Sequence, residues 1–153
     1  MIILSIVGKS GSGKTSLIEK LVPELMKNGL RVAVIKHAHR DFDFEEKDST
    51  RIFKTGADVA LVSDKKFAII RKGELKEVIN FFKDYDIILT EGFSKESYPK
   101  IALDDGIYEN VVFRYNGDFV SLVNFILSIF TLLKREKVYL KSCKDRTNER
   151  ERS

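Results

Sequence analysis

The sequence predicts an α/β fold, a mainly parallel sheet held between helices in a three-layer sandwich. Three observations carry that prediction. Short apolar, β-branched runs at 2–7, 31–36 and 86–90 read as buried parallel strands. Segments with helical spacing of apolar residues lie between them, and this alternation is the pattern of an α/β sheet. A glycine-rich loop joins the first run to the first helical segment, inside a strand–helix–strand unit of about 36 residues whose crossover is right-handed.

The first strand is Ile2-Ile3-Leu4-Ser5-Ile6-Val7, and it stops at Gly8. Apolar positions Leu17, Ile18, Leu21, Val22, Leu25 and Met26 then recur with helical spacing across 14–28. Pro23 lies inside that pattern and predicts a bend or one loosened turn, and Asn28-Gly29 supplies the stop. Residues 31–36 form the second strand. Residues 37–48 are polar, acidic and hold both histidines, so they read as a long loop. Asp48-Ser49-Thr50-Arg51 caps a short helix that ends at Gly56. Strands at 59–63 and 67–71 flank Asp64-Lys65-Lys66 and predict a hairpin or a strand at the sheet edge. An amphipathic helix covers 74–83, and the strand 86–90 closes on Glu91-Gly92. Further strands fall near Ile101 and at 111–113. A last helix covers 119–134, with Leu122, Val123, Phe125, Ile126, Ile129, Phe130 and Leu133 as its core residues.

With 153 residues and 43% hydrophobic content, the chain suits one domain, assigned to 1–134, followed by a basic tail at 135–153 that reads as solvated or frayed. The formal charge of +4 suggests nucleic acid at first, but its location argues against it. Residues 134–153 hold eight Lys/Arg against four Asp/Glu, which leaves nineteen of each in residues 1–133. No apolar run reaches the roughly 18 residues needed to span a bilayer. The longest, 119–133, is interrupted by Ser121, Asn124, Ser128 and Thr131. The start carries no basic leader, so no signal peptide is expected, and the lone Cys143 suits a reducing cytoplasm.

The string Gly8-Lys9-Ser10-Gly11-Ser12-Gly13-Lys14-Thr15 completes the signature G-x-x-x-x-G-K-[ST], with a strand before it and a helix after. This is the loop of the P-loop NTPase fold, and it predicts a nucleoside triphosphate bound with Mg²⁺. Gly8, Gly11 and Gly13 permit backbone conformations closed to side chains. The successive N–H groups of the loop form an anion nest, to which the following helix adds its positive end. Lys14 neutralises β/γ-phosphate charge, the Thr15 hydroxyl is the expected Mg²⁺ ligand, and Ser16 is placed for the α-phosphate.

Such enzymes also need a carboxylate near the metal, at the end of a buried strand. Glu91 stands at the carboxyl end of Ile87-Ile88-Leu89, the edge where open α/β sheets bind ligands, whereas Asp86 begins the same strand and points to the opposite edge. Asp41, in the loop Lys36-His37-Ala38-His39-Arg40-Asp41, is a second candidate, for Mg²⁺ or for positioning the attacking water. Lys14, Asp41 and Glu91 are therefore the candidate catalytic groups. Two histidines at i, i+2 with a remote cysteine make a poor zinc site. The guanine-reading Asn-Lys-x-Asp element of GTPases is absent. The nearest string, Asn116-Gly117-Asp118, lacks the lysine, so these motifs leave the base open. Lys9 resembles the extra lysine of the dimeric deviant phosphate-loop ATPases.

Three separated blocks resemble the MobB family of molybdopterin-guanine dinucleotide biosynthesis proteins. They are residues 8–16; Lys36-His37-Ala38-His39-Arg40-Asp41 with Asp48-Ser49-Thr50-Arg51; and Leu89-Thr90-Glu91-Gly92-Phe93 with Tyr98-Pro99-Lys100-Ile101. With Gly56-Ala57 the resemblance covers residues 1–103. It implies GTP binding with Mg²⁺, slow GTP hydrolysis, a homodimer and an accessory role in attaching GMP to molybdopterin. The partners it implies are a MobA-type nucleotidyltransferase and molybdopterin-cofactor proteins. Carried onto this chain, it places residues 8–16 on GTP, Thr15 and Glu91 at the metal, and Lys36 and His37 beside the nucleotide. It also places Lys100 where it approaches an anionic partner in the same cleft. The chain departs from the pattern at His39-Arg40, where the family tends to a second histidine pair, and after Ile101.

Two competing readings stay open. A small-molecule kinase would carry an arginine-rich lid, but Arg40, Arg51 and Arg71 are scattered. A non-hydrolysing nucleotide-switch scaffold would need the same loop without turnover. The dimer expectation has one feature of its own, the segment 67–71 as an edge strand that pairs across a two-fold axis.

Overall fold

The computed structural model describes residues 1–38 and 47–150, with side chains described through Glu136 and that of Lys47 excepted. His39, Arg40 and Asp41 lie outside the described residues. Five strands form one all-parallel sheet: β1 (Ile2–Val7), β2 (Val32–Lys36), β5 (Ile87–Glu91), β6 (Lys100–Ala102) and β7 (Val111–Arg114). Their order is β2-β5-β1-β6-β7. The strands β3 (Val59–Val62) and β4 (Phe67–Ile70) pair antiparallel as a separate hairpin, not as an edge of the main sheet. The described residues also form four helices: α1 (Lys14–Lys27), α2 (Lys47–Lys54), α3 (Leu75–Phe81) and α4 (Phe119–Arg150).

Strand alternation assigns the layers. On β1 and β5, Leu4, Ile6, Ile87 and Leu89 point to the side where Leu17, Ile18, Leu21 and Leu25 of α1 meet Leu122, Val123 and Ile126 of α4. Ile88 points the other way, with Ala33 and Ile35 of β2, and packs under Leu75 and Ile79 of α3. The helices therefore cover both faces of a central parallel sheet, as its continuously apolar strands require. Leu21 and Leu122 sit at 0% exposure where the larger core is thickest.

Helix ends follow local chemistry. The N–H of Gly29 (φ 81°) donates to Met26 O at 2.9 Å, and that of Leu30 to Leu25 O at 3.2 Å. This is the left-handed C-terminal lock that Asn28-Gly29 foretold. The α1 helix runs on through Pro23, which removes one N–H from its ladder. Asp118 caps α4: one carboxylate oxygen accepts the Ser121 N–H at 3.0 Å, the other the Ser121 hydroxyl at 2.7 Å. That helix continues to Arg150 rather than stopping near Lys134, because 134–150 holds neither Gly nor Pro and is rich in Lys, Arg and Glu. Leu133, expected in the core, is 40% exposed.

Truncating Leu21 should test the larger core. Leu21→Ala should lower the urea-unfolding free energy by about 2–5 kcal/mol. Val120→Ala, on the exposed side of α4, should change it by about 0.5 kcal/mol or less.

Candidate functional site

Parallel register brings four loops to one edge. Ile6 and Lys36 both stand beside Glu91, and Val7 beside Ala102. Backbone bonds continue this alignment beyond the strands, from His37 N to Glu91 O (3.0 Å), Gly92 N to Ile6 O (3.1 Å) and Leu103 N to Val7 O (3.0 Å). The loops after β1, β2, β5 and β6 thus emerge side by side at the carboxyl edge.

The loop after β1 leads directly into α1. Gly13, at φ 90°, is the helix N-cap, and no side chain caps the helix. No acidic residue occupies the first turn, and Lys14 stands at its first position, against the positive end of the helix dipole. Open N–H groups, no cap and an opposing lysine are unfavourable together unless an anion is bound there. The Lys14 Nζ donates to Gly8 O and Lys9 O, both at 2.8 Å, so the ammonium curls the loop around itself.

Thr15 Oγ1 donates to Glu91 Oε1 at 3.0 Å, and the other carboxylate oxygen lies 3.3 Å from Lys36 Nζ. The Glu91 side chain is 13% exposed and that of Lys36 is 63% exposed, so the pair orients Glu91 more than it stabilises the fold. Gly92 follows at φ 92°, where a Cβ would come 3.1 Å from His37 Cβ. The next residue, Phe93, holds φ 54°, a strained value for a non-glycine residue, and its ring lies 4.8 Å from that of His37. Thr15 and Glu91 supply hard oxygen donors in contact. They suit Mg²⁺, which takes few protein ligands and completes its shell with phosphates and water. Among the described residues no cluster of three or more His, Cys, Asp or Glu forms a metal site.

One cleft of about 1140 Å³ gathers Gly8, Ser10, Gly11, Gly13, Lys14, Thr15, Ser16, Lys36, His37 and Glu91, together with Phe93, Lys95 and Tyr108. Of the residues anticipated from sequence, Lys9 and Ser12 lie in the loop but do not line the cleft, and Asp41 is outside the described residues. Lys100, expected to approach an anionic partner in the cleft, is not part of its lining. It is fully buried, and its Nζ donates to the carbonyls of Glu96 (2.5 Å) and Tyr98 (3.1 Å), which satisfies the charge within the loop before β6. Asn116 and Asp118 are occupied in the α4 cap, where Asn116 Oδ1 accepts the Asp118 N–H at 3.1 Å.

Asp104 is the residue that motif reading missed. Its Oδ2 accepts the Lys9 N–H at 2.7 Å, and its Oδ1 accepts the Gly106 N–H at 3.0 Å and the Tyr108 hydroxyl at 3.1 Å. The Lys9 N–H, then the Gly106 N–H, hold its carboxyl below the ordinary carboxylate value. Burial first, and then the Asp104 bond, push the Tyr108 phenol up. The available signal was Asp104-Asp105-Gly106, a turn placed at the carboxyl end of a strand.

Residues 3–123 match the family model for MobB, molybdopterin guanine dinucleotide synthesis protein B. The chain belongs to the MobB family. It is 41% identical over 110 residues to a molybdopterin-guanine dinucleotide biosynthesis adapter protein of Haemophilus influenzae, which covers 66% of this chain and 62% of that protein. It is 35% identical over 112 residues to the adapter protein of the same name from Escherichia coli, covering 66% and 64%. The chain thus spans just under two thirds of the length of these curated relatives. A crystal structure of molybdopterin-guanine biosynthesis protein B (MobB) superposes with a TM-score of 0.63 at 33% identity, over 85% of this chain and 99% of that one. The sheet, the loop after β1 and the helices around them are accordingly those of a P-loop NTPase-like MobB fold.

The depressed carboxyl of Asp104 sets a pH expectation for this MobB-family chain. A group whose folded pKa is lowered contributes fully above its unfolded pKa and loses that contribution as pH falls through the folded value. The Lys9–Asp104 bond should therefore persist to a pH below the ordinary aspartate value. An NMR titration of the Lys9 amide should show its step there. A step at or above the ordinary value would contradict the bond.

Proposed function

We propose that this chain is a GTP-binding accessory protein of molybdenum cofactor biosynthesis, which assists attachment of GMP to molybdopterin beside a MobA-type nucleotidyltransferase. The observation that carries the reading is the Thr15–Glu91 contact, which ties the phosphate loop to the end of β5 within the lining of the cleft. Family membership and the adapter proteins' names supply the pathway, and guanine follows from the dinucleotide in those names. The nest and Lys14 hold the triphosphate. Thr15 and Glu91 would hold Mg²⁺, which neutralises phosphate charge when bound. Asp41 is kept in this reading as a second candidate for the metal or for orienting water. The setting is cytoplasmic, and no membrane or nucleic acid takes part. Among the described residues no helix is long and apolar enough to cross a membrane.

Hydrolysis is slow in this reading. Both Glu91 oxygens are engaged, one by Thr15 and one by Lys36, so the carboxylate is poorly placed to activate water. The same observation favours a second reading, a nucleotide switch without turnover.

Titration with GTP, ATP and CTP tests the base, and GTP should bind at least about tenfold tighter than the others. Lys14→Ala should weaken GTP binding about 100-fold. In single-turnover assays Glu91→Ala should lose what slow hydrolysis the parent shows. GTP that stays intact through long incubation, while still bound, would replace slow hydrolysis with the switch. Equal affinity for all three nucleotides would remove guanine from the proposal.

A homodimer belongs to the same reading. The hairpin exposes Val62 (81%), Phe67 (67%) and Ile69 (56%), with Val62 opposite Phe67 on one face. A second copy covers this face. Light scattering should give a dimer mass for the parent chain and a monomer mass for Phe67→Glu. A monomeric parent would refute the dimer.

A further inference from the structure

We propose that Asp104 is a positioning residue of the phosphate loop, which holds the Gly8–Lys9 peptide in the orientation that keeps Lys14 ready for a triphosphate. This rests on the triphosphate reading of the loop and adds a residue outside its signature.

One planar peptide unit joins Gly8 to Lys9, and it is gripped at both ends. Its N–H donates to Asp104 Oδ2 at 2.7 Å, and its C=O, that of Gly8, accepts from Lys14 Nζ at 2.8 Å. In a trans peptide the N–H and C=O point in opposite directions. Fixing the N–H therefore aims the carbonyl, and the carbonyl locates the ammonium. The next carbonyl, Lys9 O, also accepts from Lys14 Nζ at 2.8 Å and from Ser12 N at 3.2 Å, so the adjoining Lys9–Ser10 peptide continues the curl of the loop.

The carboxylate is itself held in place. Gly106 N–H and Tyr108 OH take its other oxygen. The Arg114 guanidinium spans the turn behind it, from Asp104 O (2.7 Å) to Gly106 O (3.2 Å). A Cβ on Gly106 would come 2.7 Å from the Tyr108 ring and hydroxyl, so a larger residue there would push the phenol away from Asp104. The clamp thus runs from the end of β7 through the turn after β6 to the outer limb of the phosphate loop.

Charge makes the proposal decidable. A carboxylate beside a triphosphate site repels the ligand. If Asp104 acted only through its charge, removing it would tighten binding. If it positions the loop, removing it weakens binding, because the empty loop must then be ordered by the ligand. The asparagine variant separates the two effects: its one amide oxygen, turned to the Lys9 N–H, keeps that bond without the charge, while its NH2 gives up the Gly106 N–H bond and can still donate to the Tyr108 hydroxyl.

The test compares the parent, Asp104→Ala and Asp104→Asn for binding of Mg·GTP and of inorganic tripolyphosphate. Hydrogen exchange at the Lys9 amide is followed in the ligand-free proteins. Asp104→Ala should weaken both ligands about tenfold and speed Lys9 exchange about tenfold, while Asp104→Asn binds as the parent does or tighter. Asp104→Ser, too short to reach Lys9, repeats the test should the alanine variant fail to fold. Unchanged or tighter binding by the alanine or serine variant, with the parent binding normally, overturns the proposal. A parent that binds neither ligand overturns the triphosphate reading, and the positioning role with it.

Discussion

The structure depends on β1 being paired on both edges and covered on both faces. Its partners are β5 and β6, both parallel. Parallel pairing makes all carboxyl ends point one way, so the chain leaving β1 meets the chains leaving β5 and β6 at one edge. Burial makes that register rigid. A slip by one residue would turn Leu4 and Ile6, both essentially unexposed, away from α1 and α4. The contact between Thr15 and Glu91 follows from this arrangement, since Ile6 and Glu91 are cross-strand neighbours. The Asp104–Lys9 bond follows in the same way from the pairing of Val7 with Ala102.

Around this rigid strand the site collects features that favour binding at the expense of stability. An uncapped helix start, a lysine against the dipole and Phe93 in a left-handed conformation each cost free energy in the empty protein. Such conflicts gather where function needs them and are offset elsewhere. Here the offset is the core between the sheet and α1/α4, together with the Ser5–Thr90 hydroxyl bond at 2.8 Å, which satisfies the two buried hydroxyls on the middle strands. The triphosphate proposed for the loop would relieve the first two conflicts directly, which would couple its binding to local ordering.

Most of the fold was legible in the sequence because its determinants are local. Apolar runs gave β1, β2 and β5 nearly to the residue, and Asn28-Gly29 marked a helix end through its own backbone chemistry. The glycine signature placed the loop, and Glu91 could be chosen from its place at a strand end. What stayed hidden depended on partners distant in the chain. Asp104 lies 95 residues from Lys9, and only the β1–β6 pairing brings them together. Lys100 looked like an available cation in sequence, whereas its ammonium is consumed by carbonyls two and four residues away. The end of α4 was placed too early because the change from apolar to charged residues was read as an end of structure. Charged helix formers continue a helix as readily as apolar ones do.

The two faces of the sheet are unequal, and that asymmetry bears on assembly. Two helices bury a large cluster on one face, while α3, which has no fully buried residue, covers the smaller cluster on the other. Val78 and Phe81 of α3 are 41% and 70% exposed. The β3–β4 hairpin adds an apolar face of Ala60, Val62, Phe67 and Ile69 with no place in the main sheet. A two-stranded ribbon is barely stable alone in water. An exposed apolar ribbon with open strand edges also invites pairing with another chain. Val62, Phe67 and Ile69 stay exposed on the described fold, so this face is where an added chain would bury most apolar surface. The dimer proposed above would use this face, because a two-fold axis asks one surface only to complement itself.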